Sequence, residues 1–291
     1  MLLTKFRAFQ LESEGSLFSF YKQDTNVYTL IEARLPCGGI DILIEDLKIH
    51  NKERVDTLHI TSWDTDHCCF NDLVQIINHL RPSLIEVPSY LPSSEEGRLC
   101  RNLLLKYDNI HQKYVHNVIE ISKEYISRLS SASSWGSSDV LYPSSYDSEN
   151  KNDMSLIKLF RSAGFNVISL GDCESEEIAR RLLISNIFIS EVDVLILPHH
   201  GADNGFMSGS FLDKVKPKLA VCSSNYDNQY EHPRQNIRDM LSCRGIPLMT
   251  TKRGDVIIFH ENGSSQSVAY NFISRNRAYE FPTPFMPKKF R

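Results

Sequence analysis

The chain has 291 residues, of which 41% are hydrophobic, and its formal net charge is −4. This composition is sufficient for one large or two small folded domains and argues against disorder over most of the chain. No apolar stretch approaches the roughly 20 residues that a spanning helix needs, so we expect no membrane segment. The acidic balance also argues against a long basic surface that coats nucleic acid, although bound metal ions could neutralise a phosphate locally.

The N-terminus and the cysteines indicate a cytoplasmic protein. Residues 1–7 mix charges into a short apolar run and lack the features of a signal peptide. The seven cysteines are an odd number and are scattered. The only two cysteines close together in the sequence, Cys68 and Cys69, are directly adjacent, and adjacent cysteines rarely form a disulfide. We therefore expect reduced thiols.

Strand and helix patterns alternate along both halves of the chain. Segments rich in β-branched and aromatic residues predict strands, and apolar residues at helical spacing predict helices. A Ser-rich stretch at 130–138 predicts either a flexible flap or a simple connection. Strands are predicted at 15–21, 27–33, 40–44, 55–60, 84–87, 166–170, 192–197, 219–222 and 256–259, and helices at 70–80, 92–130, 176–183 and 234–243.

This order of elements predicts sheets packed in layers with helices outside. We expect one domain over residues 1–275. The segment 276–291 is Pro-rich and basic, and we expect it to be a tail that is ordered only where it docks.

A run of potential metal ligands directly follows the predicted strand 55–60. Asp64, Asp66 and His67 lie within four residues, and such oxygen and nitrogen ligands suit a divalent cation such as zinc or manganese. Asp66 could instead act as a base for a bound water. A competing interpretation is that Asp64 or Asp66 only caps the helix that begins near Phe70.

Two further predicted strands end in residues of the same kind. Asp172 follows strand 166–170 and could bridge cations, or could cap the next helix. His199 and His200 follow strand 192–197, where one ring could bind a metal and the other could contact substrate; the alternative is a surface turn. Gly201 would let the backbone approach a ligand closely.

A last candidate is His232, which precedes Pro233. It could protonate a leaving oxygen or hold a phosphate, or it could be an incidental residue of a helix-entry loop. Asn225, seven residues earlier, is a candidate for contact with substrate.

These motifs, in this order, resemble the metallo-β-lactamase fold, and in particular the C-terminal nuclease-like domain of the DNA-uptake protein ComEC. That group shows a glycine after an early strand, HxDxDH, an Asn-x-x-Ser step, Gly-Asp, Pro-His-His-Gly and Tyr-x-His-Pro. The corresponding segments here are 14–16, 62–67, 152–155, 171–172, 198–201 and 230–233.

The resemblance implies an αββα sandwich and a metal-dependent phosphodiester hydrolase, a nuclease acting on DNA or RNA. It implies zinc or manganese, with magnesium as another candidate, as one or two ions. Asn152 and Ser155 would support the site or contact substrate. The implied metal ligands are Asp64, Asp66, His67, Asp172 and one of His199 and His200, and the implied catalytic residues are Asp66 and His232.

The chain departs from the pattern at Ser62, which replaces the first histidine of HxDxDH. A hydroxyl is a poor zinc ligand, so one metal subsite should be weakened. Two alternatives therefore stay open: a hydrolase of a small or cyclic nucleotide or an ester in the same fold, and a catalytically impaired binding or regulatory module. An unidentified protein partner is a further expectation.

Overall fold

The computed structural model describes residues 3–11, 13–107, 117–130, 138–273 and 277–290. Most of the Ser-rich segment predicted as a flap or connection, and part of the helix predicted at 92–130, lie outside these ranges.

The larger sheet has nine strands in the described part of the chain. Four of them, from the third to the sixth along the chain, run parallel, and the others pair antiparallel. These strands are β1 (Leu3–Ala8), β2 (Phe18–Lys22), β3 (Val27–Ile31), β4 (Thr57–His59), β5 (Leu84–Pro88), β6 (Asn117–Ile121), β13 (Asp255–Glu261), β14 (Ser267–Ile273) and β15 (Ala278–Phe285), in the spatial order β15-β14-β13-β1-β2-β3-β4-β5-β6.

The second sheet has six strands in the same described ranges. Its last four strands along the chain run parallel, and its first two pair antiparallel at one edge. They are β7 (Val140–Tyr142), β8 (Ile157–Phe160), β9 (Val167–Ser169), β10 (Val194–Ile196), β11 (Leu219–Cys222) and β12 (Leu248–Thr250), in the order β12-β11-β10-β9-β8-β7.

Helices cover the outer faces of both sheets. Short 3-10 turns at Lys151–Met154, Pro198–Gly201 and Lys288–Phe290 join some of the elements. Within the described ranges the helices are α1 (Ile40–Ile49), α2 (Phe70–His79), α3 (Glu95–Leu105), α4 (Lys123–Ser130), α5 (Glu176–Leu182), α6 (Asn186–Glu191), α7 (Gly209–Val215) and α8 (Gln235–Ser242).

Three buried clusters show how the layers are held together. Side chains from both sheets, such as Phe20 and Phe160, form the central cluster between the sheets. A second cluster, which includes Leu43 and Leu73, packs α1 to α3 on the larger sheet. A third, which includes Phe188 and Phe211, packs α5 to α8 on the smaller sheet. Burial of these apolar faces gives the four layers, so the predicted αββα sandwich is confirmed.

Two secondary-structure predictions were wrong. Segment 40–44 is the start of α1, because Ile40, Leu43 and Leu47 follow a helical period that a five-residue window hides. The C-terminal part of the helix predicted at 92–130 contains β6, whose β-branched residues pair in parallel with β5. A short apolar run is equally compatible with the buried face of a helix and with a buried strand.

The segment predicted as a C-terminal tail contributes a strand to the larger sheet. β15 pairs antiparallel with β14, and the Lys288 amide donates to Asp193 Oδ1 at 2.7 Å. This part of the segment is therefore docked on the domain. Among the described helices, none has the length and apolar character that crossing a membrane requires.

Candidate metal centre and cleft

The candidate ligands meet because parallel strands of both sheets end at the same edge of the sandwich. Asp66 and His67 lie in the loop after β4, and Asp172 lies three residues after β9. His200 lies in the 3-10 turn after β10. The carboxyl ends of parallel strands are the usual place for binding sites in such sheets.

Four side chains, which we call the metal cluster, converge at this edge: Asp66, His67, Asp172 and His200. One ligand atom from each lies within 4.8 Å of the others. His67 Nε2 is 3.0 Å from Asp172 Oδ2 and 3.7 Å from Asp66 Oδ2. His200 Nε2 is 3.2 Å from Asp66 Oδ2. Two carboxylates and two imidazoles at this spacing form a donor set for one divalent cation.

The far nitrogen of each imidazole is held by a neighbouring acceptor. His67 Nδ1 lies 3.1 Å from Glu32 Oε1, and Glu32 also accepts from the Thr61 hydroxyl at 2.6 Å. His200 Nδ1 lies 3.0 Å from the Ser223 carbonyl oxygen. An acceptor at Nδ1 favours the tautomer that turns the Nε2 lone pair toward the cluster, as is usual for histidine ligands.

Two observations show that the metal cluster fits a cation. His67 Nε2 is buried and faces two carboxylate oxygens, that of Asp172 at 3.0 Å and that of Asp66 at 3.7 Å. By contrast, two cationic side chains balance the buried carboxylate of Asp46: Lys5 at 2.5 Å and Arg7 at 2.9 Å. Among the described residues, the two cluster carboxylates make ion pairs only with imidazoles. A bound cation would satisfy both the nitrogen and the excess negative charge.

The charges within the cluster reinforce one another. Burial disfavours a charged His67, but the carboxylates of Asp172, Asp66 and Glu32 outweigh burial and raise the pKa of His67 well above its ordinary value. Burial likewise opposes ionisation of Asp66, but His67 and His200 lower the pKa of Asp66 below its ordinary value. The site therefore attracts positive charge strongly.

Asp64, a predicted ligand, lies outside the metal cluster. Its Oδ2 accepts from the Ser62 hydroxyl at 2.9 Å, and the Tyr90 hydroxyl lies 3.1 Å from the same Ser62 oxygen. The Tyr90 hydroxyl also accepts from the Trp63 amide at 3.1 Å. We call the Ser62–Asp64 end of this loop, together with Tyr90 from another loop, the closed half, since the polar groups of these residues form hydrogen bonds with one another.

His199, the other imidazole of the pair, also lies outside the cluster. Its Nδ1 lies 2.5 Å from Glu174 Oε1. Both histidines have left-handed backbone conformations, with φ of 45° for His199 and 53° for His200. This turn sends the two rings to different places, so His200 joins the metal cluster and His199 faces the cleft.

Asn152 and Ser155 support the site. Asn152 Nδ2 donates to Glu174 Oε1 at 2.8 Å, so it fixes the carboxylate that pairs with His199. Ser155 is fully buried, and its hydroxyl accepts from the Asp172 amide at 3.2 Å. The burial of Ser155 rules out the predicted contact with substrate in this conformation and leaves the structural role that the sequence also allowed.

A cleft of about 470 Å³ opens above Asp66 and His200. His199, Asn225 and His232 line it, so the structure brings the predicted residues Asn225 and His232 to the same cleft as Asp66 and His200. Burial and the neighbouring rings of His200 and His199 lower the pKa of His232 to about 4. His232 is therefore neutral at pH 7.

Gly15 closes the floor of the cleft beside Asp66. A Cβ at this position would lie 2.3 Å from the Asp66 carbonyl oxygen, and φ is 130°, so a side chain would not fit. The Ser16 amide donates to that carbonyl at 3.0 Å, and the Ser223 hydroxyl donates to the Gly15 carbonyl at 2.8 Å. The early glycine motif thus tethers the ligand loop to the smaller sheet.

Sequence reasoning missed Glu32, Glu174 and Tyr90. Glu32 had a usable signal, because it is an acidic residue at the end of a buried strand, where Asp172 was recognised. Tyr90 had none, since it lies 28 residues from Ser62 in the chain and reaches it only in the fold.

Two known proteins are similar in sequence to this chain. The chain is 31% identical over 221 residues to ComE operon protein 3 of Bacillus subtilis (strain 168), a match covering 75% of this chain and 26% of that protein. It is 31% identical over 123 residues to competence protein ComA of Neisseria gonorrhoeae, covering 42% and 17%. The chain thus matches about a quarter or less of the length of these relatives. No family model matches.

Among solved structures, a mutant of the CmlA beta-hydroxylase superposes with a TM-score of 0.52 at 15% identity, covering 87% of this chain and 53% of that one. Fold and site together define a metallo-β-lactamase-fold protein with a candidate centre for a divalent metal. Within that class the chain is ComEC-like, as its motifs predict.

Proposed function

We propose that the chain hydrolyses phosphodiester bonds in DNA, RNA or nucleotides with one divalent cation. The observation that carries this proposal is the metal cluster, two of whose residues, Asp66 and His200, line a cleft that also contains imidazole and amide groups. A bound cation would make water a nucleophile at neutral pH and would polarise a phosphoryl oxygen. Carboxylate and imidazole ligands together suit zinc or manganese better than magnesium, which prefers oxygen.

The cluster residues hold the cation. The Nε2 atoms of His67 and His200 and the carboxylates of Asp66 and Asp172 supply four donors. The lowered pKa of Asp66 favours the role of ligand over that of a base for water. Ser62 and Asp64 form hydrogen bonds within the closed half and are not among the cluster donors. The four cluster donors therefore suffice for one ion, and the closed half provides none for a second.

His232 orients the substrate. Because its pKa is about 4, it carries no extra proton at pH 7 and is not the acid that protonates the leaving oxygen. A neutral ring in the cleft wall can donate one hydrogen bond to a phosphate oxygen. The His199 ring, whose Nδ1 lies 2.5 Å from Glu174 Oε1, has its centroid 5.9 Å from that of His232 and can contact a second substrate oxygen.

A small or cyclic nucleotide is a second candidate substrate, because of the size and charge of the cleft. Its volume of about 470 Å³ falls in the usual range for small-molecule sites. No lysine or arginine is among the described residues that line it. A long polyanion normally needs several such cations along its backbone.

Hydrolysis assays with defined metals test the proposal. The full chain, stripped of metal and reloaded with manganese, zinc or magnesium, is assayed against single-stranded DNA, RNA and cyclic nucleotides. We expect cleavage of at least one substrate with manganese or zinc, and none by the Asp66→Ala/His67→Ala double variant. A metal-loaded chain that cleaves no phosphodiester is a binding or regulatory module, and full activity in the double variant contradicts the mechanism.

A further inference from the structure

The loop from Asn225 to His232 exposes two aromatic side chains to solvent. Tyr226 is 73% exposed and Tyr230 is 50% exposed. Tyr230 and Asn225 line the cleft, whereas Tyr226 is not among its lining residues. A large aromatic ring left half in water beside a candidate active site is available for contact with a ligand.

Three rings form a stack that leads from the metal cluster to the rim of the cleft. The His200 and His232 rings have centroids 6.4 Å apart and planes 15° apart. The His232 and Tyr230 rings have centroids 5.6 Å apart and planes 28° apart. His200, at the inner end of this stack, is a proposed metal ligand. Tyr230, at the outer end, has an exposed aromatic ring.

Hydrogen bonds within the loop hold the outer rings in place. Asn228 Oδ1 accepts from the His232 amide at 2.6 Å, and Asn228 Nδ2 donates to the carbonyls of Asn225 and His232 at 2.9 and 3.0 Å. Since the amide of Asn228 bonds the loop at both ends, the position of Tyr230 is set before a ligand arrives. Such preorganisation lowers the entropic cost of binding.

The cleft lacks lysine and arginine among its described lining residues, and an exposed aromatic ring there can contact a nucleotide through stacking. A nucleotide there finds no lysine or arginine among the described lining residues, so backbone charge contributes little affinity beyond the cation. Stacking of a base on an aromatic side chain is an alternative source of affinity that needs no positive charge.

We propose that the exposed face of Tyr230 stacks on the nucleobase adjacent to the hydrolysed phosphodiester. This inference rests on the proposed function and narrows its substrates to phosphodiesters that carry a base close to the reacting phosphate. Tyr230 is therefore a specificity residue. It raises affinity for base-bearing substrates over simple phosphodiesters without touching the reacting atoms.

Steady-state kinetics with and without the base test this directly. The full chain with manganese is assayed on a thymidine dinucleotide and on the same dinucleotide lacking both bases. We expect Tyr230→Ala to raise KM for the thymidine dinucleotide by roughly 5- to 100-fold, to leave kcat nearly unchanged and to leave the abasic substrate unaffected. Tyr230→Phe keeps the ring and should behave as the unmodified chain does.

Tyr226→Ala is the matched control, because Tyr226 is a more exposed tyrosine on the same loop that does not line the cleft. It should leave both substrates unchanged. Equal KM increases in Tyr226→Ala and Tyr230→Ala, or an equal increase on both substrates in Tyr230→Ala, would assign the effect to the loop as a whole and overturn the inference.

A binding measurement separates failure of this inference from failure of the proposed function. Calorimetry compares adenosine monophosphate with ribose 5-phosphate on the manganese-loaded chain. Tighter binding of the base-bearing ligand that disappears in Tyr230→Ala supports the stacking site even if no substrate is cleaved. Hydrolysis with no preference for a base overturns the stacking site and leaves the proposed function intact.

Discussion

The two ends of the loop at residues 62–67 differ in what satisfies their polar groups. In the closed half, Ser62, Asp64 and Tyr90 form hydrogen bonds with one another. In the metal cluster, Asp66 and His67 face Asp172 and His200, and among the described residues the two carboxylates form ion pairs only with imidazoles. Within the six residues 62–67, one group is complete without a ligand, whereas the other belongs to a donor set for a cation. Ligand-like residues in a motif therefore do not by themselves define a ligand site.

The largest difference between the two halves should appear when one carboxylate of each is neutralised. Asp172→Asn removes a charged donor from the cluster, and we expect metal-supported hydrolysis to fall by on the order of 10³-fold or more, since a bound cation contributes several kcal/mol. Asp64→Asn should change activity by only about threefold, because it weakens one hydrogen bond outside the cluster. Similar losses in both variants would show that Asp64 also binds metal.

Glu32 extends the comparison to residues that contact the ligands. Glu32→Gln removes the negative charge beside His67 Nδ1, and we expect metal affinity to fall by roughly 10- to 100-fold, measured by competition with a chelator. Glu96→Gln is the matched control. Glu96 accepts from the Thr65 hydroxyl in the same loop and from the Phe70 amide at the start of α2, but it lies outside the cluster. An unchanged affinity in Glu32→Gln would remove Glu32 from the account.

Tyr90→Phe tests the closed half through stability. The substitution removes the hydroxyl that joins Ser62 and the Trp63 amide, and we expect the free energy of unfolding to fall by about 1–3 kcal/mol in urea titrations. Metal content should not change. Tyr226→Phe, at an exposed position, controls for the loss of a hydroxyl and should leave stability unchanged. Loss of metal in Tyr90→Phe would show that the two halves act together.

Much of the site could be predicted from the sequence, because its ligands directly follow apolar strands. Asp66, His67 and Asp172 were identified this way. Which of His199 and His200 joins the cluster depends on the left-handed backbone conformation of both residues. The sequence gives no sign of that conformation beyond the adjacent Gly201. The closed half could not be predicted, because it depends on Tyr90, a residue of a different loop.

The same limit applies to the fold. The four layers follow from alternating strand and helix patterns, whereas α1 and β6 were missed because a short run of apolar residues fits either period. In both cases neighbours in space, and not the local pattern, decide the conformation.

The number of metal ions per chain tests the central claim most directly. The full chain, purified without chelator and loaded with zinc or manganese, is analysed by elemental analysis, and the ion is located by anomalous diffraction. We predict one equivalent, bound among Asp66, His67, Asp172 and His200. Two equivalents, or one ion bound at Ser62 and Asp64 instead, would contradict the account.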